Sequence, residues 1–383
     1  RPGSRLAEQM SYYIPPEKPE TDFLQINGPE DIKVCDPACG SGHMLTYAFD
    51  LLYAIYEEEG YAPSEIPELI LTHNLHGTEI DPRAGALAAF ALTMKARATQ
   101  HRFFRKQVKP NVCVLEPISF VPDEIELLLT TDGDRDAEST FWNQFRDVDV
   151  LGSLLRPNPE ITIHLERHIA SLDGGGDILL ANSLDRAERV VEQARYLSSQ
   201  YSTAIANPPY MGSGNMSALL SDFAKNEFPA SKADLFAMFI ERCTALVFSH
   251  GVVAMITMQS WMFLSSFERL REHILAASPI RTMAHLGAGA FETIGGEVVT
   301  TSAFVLGKGD DQSRRGGYVR LVEQPLSQKP TLLRIAAKTP HSGSRYDVTP
   351  ADFVHIPGSP IAYWLSSATR AAFGGAKYVG DAV

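Results

Sequence analysis

Short apolar runs alternate along this chain with longer amphipathic ones, and that alternation restricts the fold more than any other feature. A short run that can be buried on both faces reads as a strand of a parallel sheet, and an amphipathic stretch between two such runs reads as the helix that crosses over. Ile32 to Asp36, Leu75 to Ile80 and Asn111 to Leu115 read as three strands. His43 to Glu59 and Pro82 to about Ala98 read as the helices between them, with Pro82 in a first turn where its missing N–H is harmless. From Pro117 to about Asn182 the alternation fails, and an acidic, partly helical insertion ends in Asp173-Gly174-Gly175-Gly176. Order resumes with a helix around Ser183 to Ser199, a strand Ser202 to Ala206, a helix Lys232 to Phe248, a strand Val252 to Thr257 and a helix Phe263 to Ala276. In the most apolar region, Cys243 to Met258, the break Ser249-His250-Gly251 reads as a turn between helix and strand. Ile280 to Leu286, Val298 to Leu306 and Tyr318 to Val322 read as closing strands, the last two joined by a hairpin-like Gly309 to Gly317. The expected class is α/β, a Rossmann-like and mostly parallel sheet with antiparallel closing strands and a helical insertion.

The 383 residues exceed one average domain and leave room for a large core plus an appended segment. The expected division is a catalytic domain at 28–310 with its insertion at about 117–182, a segment at 1–27, and a linker entering a further region at 311–383. Hydrophobic residues make up 44% of the chain, yet no stretch reaches the eighteen or so apolar residues that a membrane span needs. No charged and apolar leader opens the chain, and Cys35, Cys39, Cys113 and Cys243 form no disulfide framework, so a reducing cytoplasm is expected and no membrane partner. Cys35 and Cys39 have no second Cys/His pair at zinc-ligand spacing, and no metal site is expected.

The sharpest local pattern is Asp36-Pro37-Ala38-Cys39-Gly40-Ser41-Gly42, at a junction from strand to helix. Glycines there let the backbone pass against a ligand, and a helix N-terminus presents free N–H groups. A lone Gly-x-Gly loop is equally a tight turn without a ligand. Asp36 adds information, since a carboxylate repels phosphate and favours a ligand bearing ammonium and sulfonium charges. The loop therefore suits S-adenosylmethionine better than a dinucleotide, with Asp36, Ala38, Cys39, Gly40 and Gly42 as contact candidates. Gly77-Thr78-Glu79-Ile80-Asp81-Pro82 ends the next strand, where a carboxylate can accept from ribose hydroxyls. Glu79, with Ile80 beside it, is the candidate, because Asp81 just before Pro82 suits a helix N-cap. Glu116, after the third strand, could accept from an adenine amine.

A second pattern, Asn207-Pro208-Pro209-Tyr210, directly follows a strand. An aromatic amine is a poor nucleophile because its lone pair is delocalised into the ring. Two acceptors for its two N–H protons would localise that pair. The Asn207 side-chain oxygen and the Pro208 carbonyl can serve, with two prolines stiffening the turn. Tyr210 offers a flat face against which an extruded base could stack. The same four residues are also good chemistry for a rigid surface turn.

Together these motifs resemble the N6-adenine DNA methyltransferases of bacterial restriction-modification systems. Asp36 to Leu45, Ala48 to Tyr53, Ser231-Lys232-Ala233-Asp234-Leu235-Phe236 through Cys243, and Met258-Gln259-Ser260-Trp261-Met262-Phe263-Leu264 resemble the PglX family of bacteriophage-exclusion (BREX) phage-defence systems. The likeness runs from about Ile32 to Leu306. It implies a methyltransferase fold, S-adenosylmethionine as donor, double-stranded DNA with a flipped adenine as substrate, and other BREX proteins as partners. By position it implies Asp36, Gly40 and Gly42 at the methionine part of the cofactor, Glu79 at its ribose, and Asn207, Pro208, Pro209 and Tyr210 as the catalytic loop. The family's threonine-proline element before the glycine loop is absent from Arg1 to Asn27. A second aromatic wall for the base is expected, with Phe291 before Gly295-Gly296 as candidate.

Phe353 to Trp364 resembles the linker by which such enzymes enter their target-recognition region. A formal charge of −12 is unfavourable for gripping phosphates, so the basic DNA-binding part is expected beyond this stretch, and the sequence reads as part of a longer protein. The same loop on the same fold could serve RNA adenine or protein glutamine, and a non-catalytic DNA-recognition or scaffold subunit could retain the cofactor contacts. A flavin or nicotinamide enzyme has no use for Asn207 to Tyr210.

Overall fold

The structure is a computed structural model that describes residues 4, 6–10, 12–14, 23–172, 178–288, 299–309, 311, 313–339 and 342–374. The chain is α/β and divides into two compact units, residues 26–201 and residues 1–25 with 202–383.

In the unit 26–201, β1 (Val34–Asp36), β2 (Leu75–Glu79) and β3 (Asn111–Val114) lie in the order β3-β2-β1. They are parallel, with Val34 beside Leu75, Asp36 beside Gly77 and Glu79 beside Val114. The helix His43–Glu58 follows β1 and buries Leu45, Phe49, Leu52 and Tyr56, one stripe at helical spacing. Helix Pro82–Thr99 follows β2 and buries Ala88, Leu92 and Ala96. Buried Asn74 joins these parts. It accepts from the Tyr56 hydroxyl at 2.8 Å and donates to the carbonyls of Pro29 at 2.7 Å and Ile32 at 2.8 Å, so its amide is satisfied away from water.

The expected insertion is helical. Pro122–Leu128, Arg135–Asn143 and Pro159–Ser171 are short helices, and Ile178–Ser198 is a long one. Asp134 and Asn158 accept from N–H groups of the first turns of the second and third, which is why those helices begin where they do. Trp142, Phe145 and Leu165 are fully buried, giving this stretch an apolar interior of its own.

In the other unit, β4 (Tyr201–Ala206), β5 (Val247–Met258), β6 (Ile280–Ala288), β7 (Thr300–Gly307), β8 (Gly316–Arg320) and β9 (Arg345–Val348) lie in the order β4-β5-β7-β6-β8-β9. β7 is antiparallel to both β5 and β6, β8 is parallel to β6, and β9 is antiparallel to β8. Ile14 packs on Val319, Leu321 and Ala336 beyond β8.

Four sequence expectations are corrected here. The strand read as Val252 to Thr257 runs from Val247 to Met258, so Ser249-His250-Gly251 is not a turn before it but a kink inside it, with His250 at φ +64°. A side chain at Gly251 would meet the Phe248 carbonyl and Val247 Cβ at 2.9 Å, so the kink needs that glycine. The helix read as Lys232 to Phe248 is Leu235–Leu246, shortened at its start by a cap and at its end by the strand. The helix read as Phe263 to Ala276 is Glu268–Ala277, preceded by tight turns at Gln259–Met262 and Ser265–Phe267. Finally, β7 and β8 form no hairpin: β8 pairs with β6 and β9 instead.

Candidate active site

The loop after β1 is shaped by two carboxylates, buried Asp36 and half-buried Glu79. Asp36 is 2% exposed and accepts from the Ala38 N–H at 3.1 Å. Burial pushes its carboxyl up to about 7, the Ala38 N–H opposes that, and the negative charge of Glu79 adds to it. Glu79 takes the Gly40 N–H on Oε2 at 2.8 Å, and the N–H groups of Ile80 and Asp81 on Oε1 at 2.9 and 3.0 Å. A carboxylate has about four acceptor positions, so three are already used on backbone. A ribose diol could take the fourth directly and would have to displace a backbone bond for its second hydroxyl.

Gly40 and Gly42 both stand in the left-handed region, at φ +53° and +82°, but they face different things. A Cβ at Gly40 would have nothing within 4 Å, whereas one at Gly42 would meet Ala88 Cβ at 3.0 Å and Cα at 3.1 Å. Gly40 thus borders open space while Gly42 lets helix 82–99 approach. The buried Cys39 thiol is also directed into packing, since a Cβ at Gly77 would meet its Sγ and Leu45 Cδ1 at 3.0 Å, and burial pushes that thiol up. Cys39 meets the sheet through its N–H, which donates to the Thr78 carbonyl at 3.1 Å. Asp81 caps helix 82–99, accepting from the Arg83 N–H at 2.9 Å. Glu116 is half-exposed and pairs with Arg189 at 3.2 Å, while its N–H donates to Gln193 at 2.8 Å.

The insertion reaches the end of β2 beside this loop, which its sequence did not reveal. Buried Thr78 on β2 shares a 2.7 Å hydrogen bond with the Ser153 hydroxyl, and a Cβ at Gly152 would lie 3.1 Å from the half-exposed Ile80 side chain.

In the other unit, Asn207 follows β4 and is exposed, Pro208 is buried, Pro209 is exposed and Tyr210 is half-buried. The Tyr210 hydroxyl donates to Asn207 Oδ1 at 3.3 Å and lies 3.4 Å from the Ile256 carbonyl on β5. Burial pushes its phenol up to about 12, so the ring is neutral. Phe236 meets Tyr210 edge-on, at 6.1 Å between centroids and 87° between planes.

What holds the loop is a residue that sequence reasoning absorbed into a helix. Asp234 Oδ1 accepts from the Met211 N–H at 3.1 Å and from the Phe236 N–H at 3.2 Å. It therefore caps helix Leu235–Leu246 and clamps the residue after Tyr210 at once. The Leu235 N–H donates to the Met211 carbonyl at 3.0 Å and the Ser213 N–H to Ala233 at 2.9 Å, completing a short antiparallel bridge at Gly212 and Asp234. An aspartate before the apolar run Leu235-Phe236-Ala237 was the signal that could have located this cap. Phe291 lies outside the described residues.

Residues 73–291, more than half of the 383, match the model of the Eco57I restriction-modification methylases. The chain belongs to that family. The Eco57I-type chain is 37% identical over 403 residues to the adenine-specific methyltransferase BrxX of Escherichia coli O9:H4 (strain HS), covering 96% of this chain and 33% of the relative. It is 38% identical over 386 residues to the adenine-specific methyltransferase PglX of Lacticaseibacillus casei (strain Zhang), covering 96% and 32%. It thus spans about a third of the length of these curated relatives. Among solved structures, the ATP-dependent Type ISP restriction-modification enzyme LlaBIII bound to DNA matches 90% of this chain and 21% of its own, with a TM-score of 0.51 at 13% identity. At that identity the likeness establishes a shared fold. The Eco57I-type chain thus carries the Rossmann-like methyltransferase fold that its motifs implied. No helix among the described residues is long and apolar enough to cross a membrane.

Proposed function

We propose that the protein to which this chain belongs is a site-specific adenine DNA methyltransferase, transferring a methyl group from S-adenosylmethionine to N6 of adenine in host DNA as part of anti-phage defence. The observation that carries this reading is the Asn207 to Tyr210 loop, an exposed amide acceptor beside a neutral ring, clamped from behind by Asp234. Residues 28–310 are its catalytic domain and 311–383 lead into target recognition. The names of the BrxX and PglX relatives, adenine-specific methyltransferases, support the choice of base.

The cofactor loop fits the group. Open space beyond Gly40 admits a ligand against the backbone, and buried Asp36 is suited to a cationic one. When bound, S-adenosylmethionine supplies an electrophilic methyl group. Gly40 and Ala38 border it, Asp36 balances its positive charge, and Glu79 both shapes the loop and takes a ribose hydroxyl. Ile80 lines the adenosine side, and Glu116, released from its half-exposed pair with Arg189, accepts from the adenine amine. On the acceptor side, Asn207 Oδ1 and the Pro208 carbonyl receive the two N6 protons of the target adenine. Its lone pair is thereby localised on the nitrogen, while Tyr210 stacks on the extruded ring. Single-molecule sequencing of host DNA with and without the full-length protein tests the reading. N6-methyladenine at one sequence motif, present only with the protein, is the expected result. Methylation found only in RNA or on protein glutamine would replace it.

A further inference from the structure

Beyond the catalytic loop, the same unit holds a chain of three polar side chains, two of them buried, whose hydrogens can be assigned by elimination. His285, 3% exposed near the end of β6, meets the Tyr363 hydroxyl with Nδ1 at 2.9 Å and Gln259 Oε1 with Nε2 at 2.7 Å. Tyr363 is fully buried, and among the described residues Nδ1 is the one partner of its hydroxyl. A buried O–H left without an acceptor is costly, so Tyr363 donates and Nδ1 accepts. A neutral imidazole carries one proton, which must then sit on Nε2. Burial, and then the charge of Arg320, push His285 down to about 4, so the ring is neutral at physiological pH. With Nε2–H donating, Gln259 must present its oxygen to the histidine, as the structure has it. Turning the amide round would leave the Tyr363 proton without a partner.

The consequence falls on the other end of the glutamine. Its Nε2 has no partner among the described residues and is not sealed from solvent, while its orientation is fixed by His285. Packing reinforces this, since Phe263 and Trp364 flank the His285 ring at 6.0 and 6.3 Å, each inclined by 34°. Gln259 directly follows β5, three residues after Ile256, whose carbonyl lies against the Tyr210 hydroxyl. At about 3.3 Å per residue the Gln259 backbone stands within roughly 10 Å of the Ile256 backbone, at the same end of β5 as the Tyr210 contact. A fixed, unpartnered donor at the strand end that carries the Tyr210 contact is matched by an acceptor on the base. Asn207 and Pro208 read the amine, which cytosine also carries; ring nitrogens are what remains to be read.

We propose that Gln259 is a specificity-determining residue of the target-base pocket, donating its Nε2–H to a ring nitrogen of the extruded adenine, with His285 and Tyr363 as positioning residues behind it. This rests on the adenine methyltransferase reading given above. The test uses the full-length protein and duplexes carrying its mapped site, with the target adenine replaced in turn by 1-deaza-, 3-deaza- and 7-deazaadenine, each lacking one acceptor. Wild-type kcat/KM should fall about tenfold or more on one analogue and little on the others. Gln259→Ala and Gln259→Glu should lose a similar factor on adenine itself and nothing further on that analogue, with cofactor affinity unchanged. Gln259→Glu, which keeps an acceptor for the His285 Nε2–H, should also keep the melting temperature, whereas Gln259→Ala, which leaves that N–H unpartnered, should lower it. Tyr363→Phe should show part of the same loss. A Gln259→Ala enzyme that still discriminates among the analogues as the wild type does would overturn the assignment, and so would a wild type indifferent to all three. A wild type that methylates no adenine would overturn both this assignment and the reading beneath it.

Discussion

The loop after β1 and the loop after β4 are held in place by opposite chemistry. The first is organised from inside by ionisable groups, Asp36 and Glu79, whose oxygens take the N–H groups of Ala38 and Gly40 in the loop itself. The second presents a neutral amide and a neutral ring, and its carboxylate, Asp234, stands behind the loop and grips Met211. The difference follows the proposed ligands. A cationic donor is served by buried negative charge, whereas an uncharged amine needs acceptors that hold still and do not titrate. Mutation and pH should therefore divide the two loops cleanly, and four perturbations, taken from the largest effect down, would break or sharpen that division.

Asn207→Ala should act on rate alone. Removing one preorganised acceptor costs about 3–4 kcal/mol in the transition state, a hundred- to thousandfold in methyl transfer, with cofactor affinity nearly intact. A methylation assay beside a cofactor titration on the full-length variant checks this.

Proton concentration should act on the other loop. Since Asp36 is pushed up to about 7, it is protonated below that pH and must lose its proton to meet a cationic ligand. Cofactor affinity should then be complete above about 7 and fall by up to about tenfold per unit below it. The unliganded protein shows the reverse sign. Its Asp36 holds a proton that the unfolded chain has lost above the ordinary 3.8, so its contribution to stability declines as pH rises from there through about 7. Calorimetric titrations between pH 5 and 8 should lose the affinity slope in Asp36→Asn.

The two glycines offer a third division. Gly40→Val should weaken cofactor binding at least about tenfold, because the new side chain fills the space that the ligand needs. Gly42→Ala should lower the melting temperature more than Gly40→Ala does, because its Cβ meets Ala88 as well as being strained. The smallest effects belong to Tyr210. Tyr210→Ala should lose about 1–3 kcal/mol of base stacking and keep some activity. Tyr210→Phe should be nearly neutral, since its hydroxyl contacts, at 3.3 and 3.4 Å, are long. Steady-state rates of the pair rank the ring against the hydroxyl.

Both loops were legible in the sequence because each is a contiguous motif at a strand end, where turn residues and apolar periodicity coincide. Strand and helix bounds near them fall within a few residues of the reading, as for His43–Glu58 and Asn111–Val114. What the sequence hid depends on contacts between distant residues. Asp234 reads locally as one more position of a helix, and its grip on Met211 joins residues 23 apart. Ser153 meets Thr78 across 75 residues, and His285 meets Tyr363 across 78. The false hairpin between β7 and β8 arose likewise: Gly309 to Gly317 has turn chemistry, but β8 finds its partner in β6, which no local pattern announces. The kink at His250 looked like a chain reversal because glycine marks both.

The division of labour between the loops is tested most directly by measuring two quantities on two full-length variants in one preparation, cofactor affinity and single-turnover methyl transfer at saturating cofactor. Asp36→Asn should lose affinity and keep most of its rate once saturated. Asn207→Ala should keep affinity and lose its rate a hundred- to thousandfold. If both variants failed in the same quantity, or if Asn207→Ala methylated DNA at near wild-type rate, the assignment of donor and acceptor to these two loops would be contradicted.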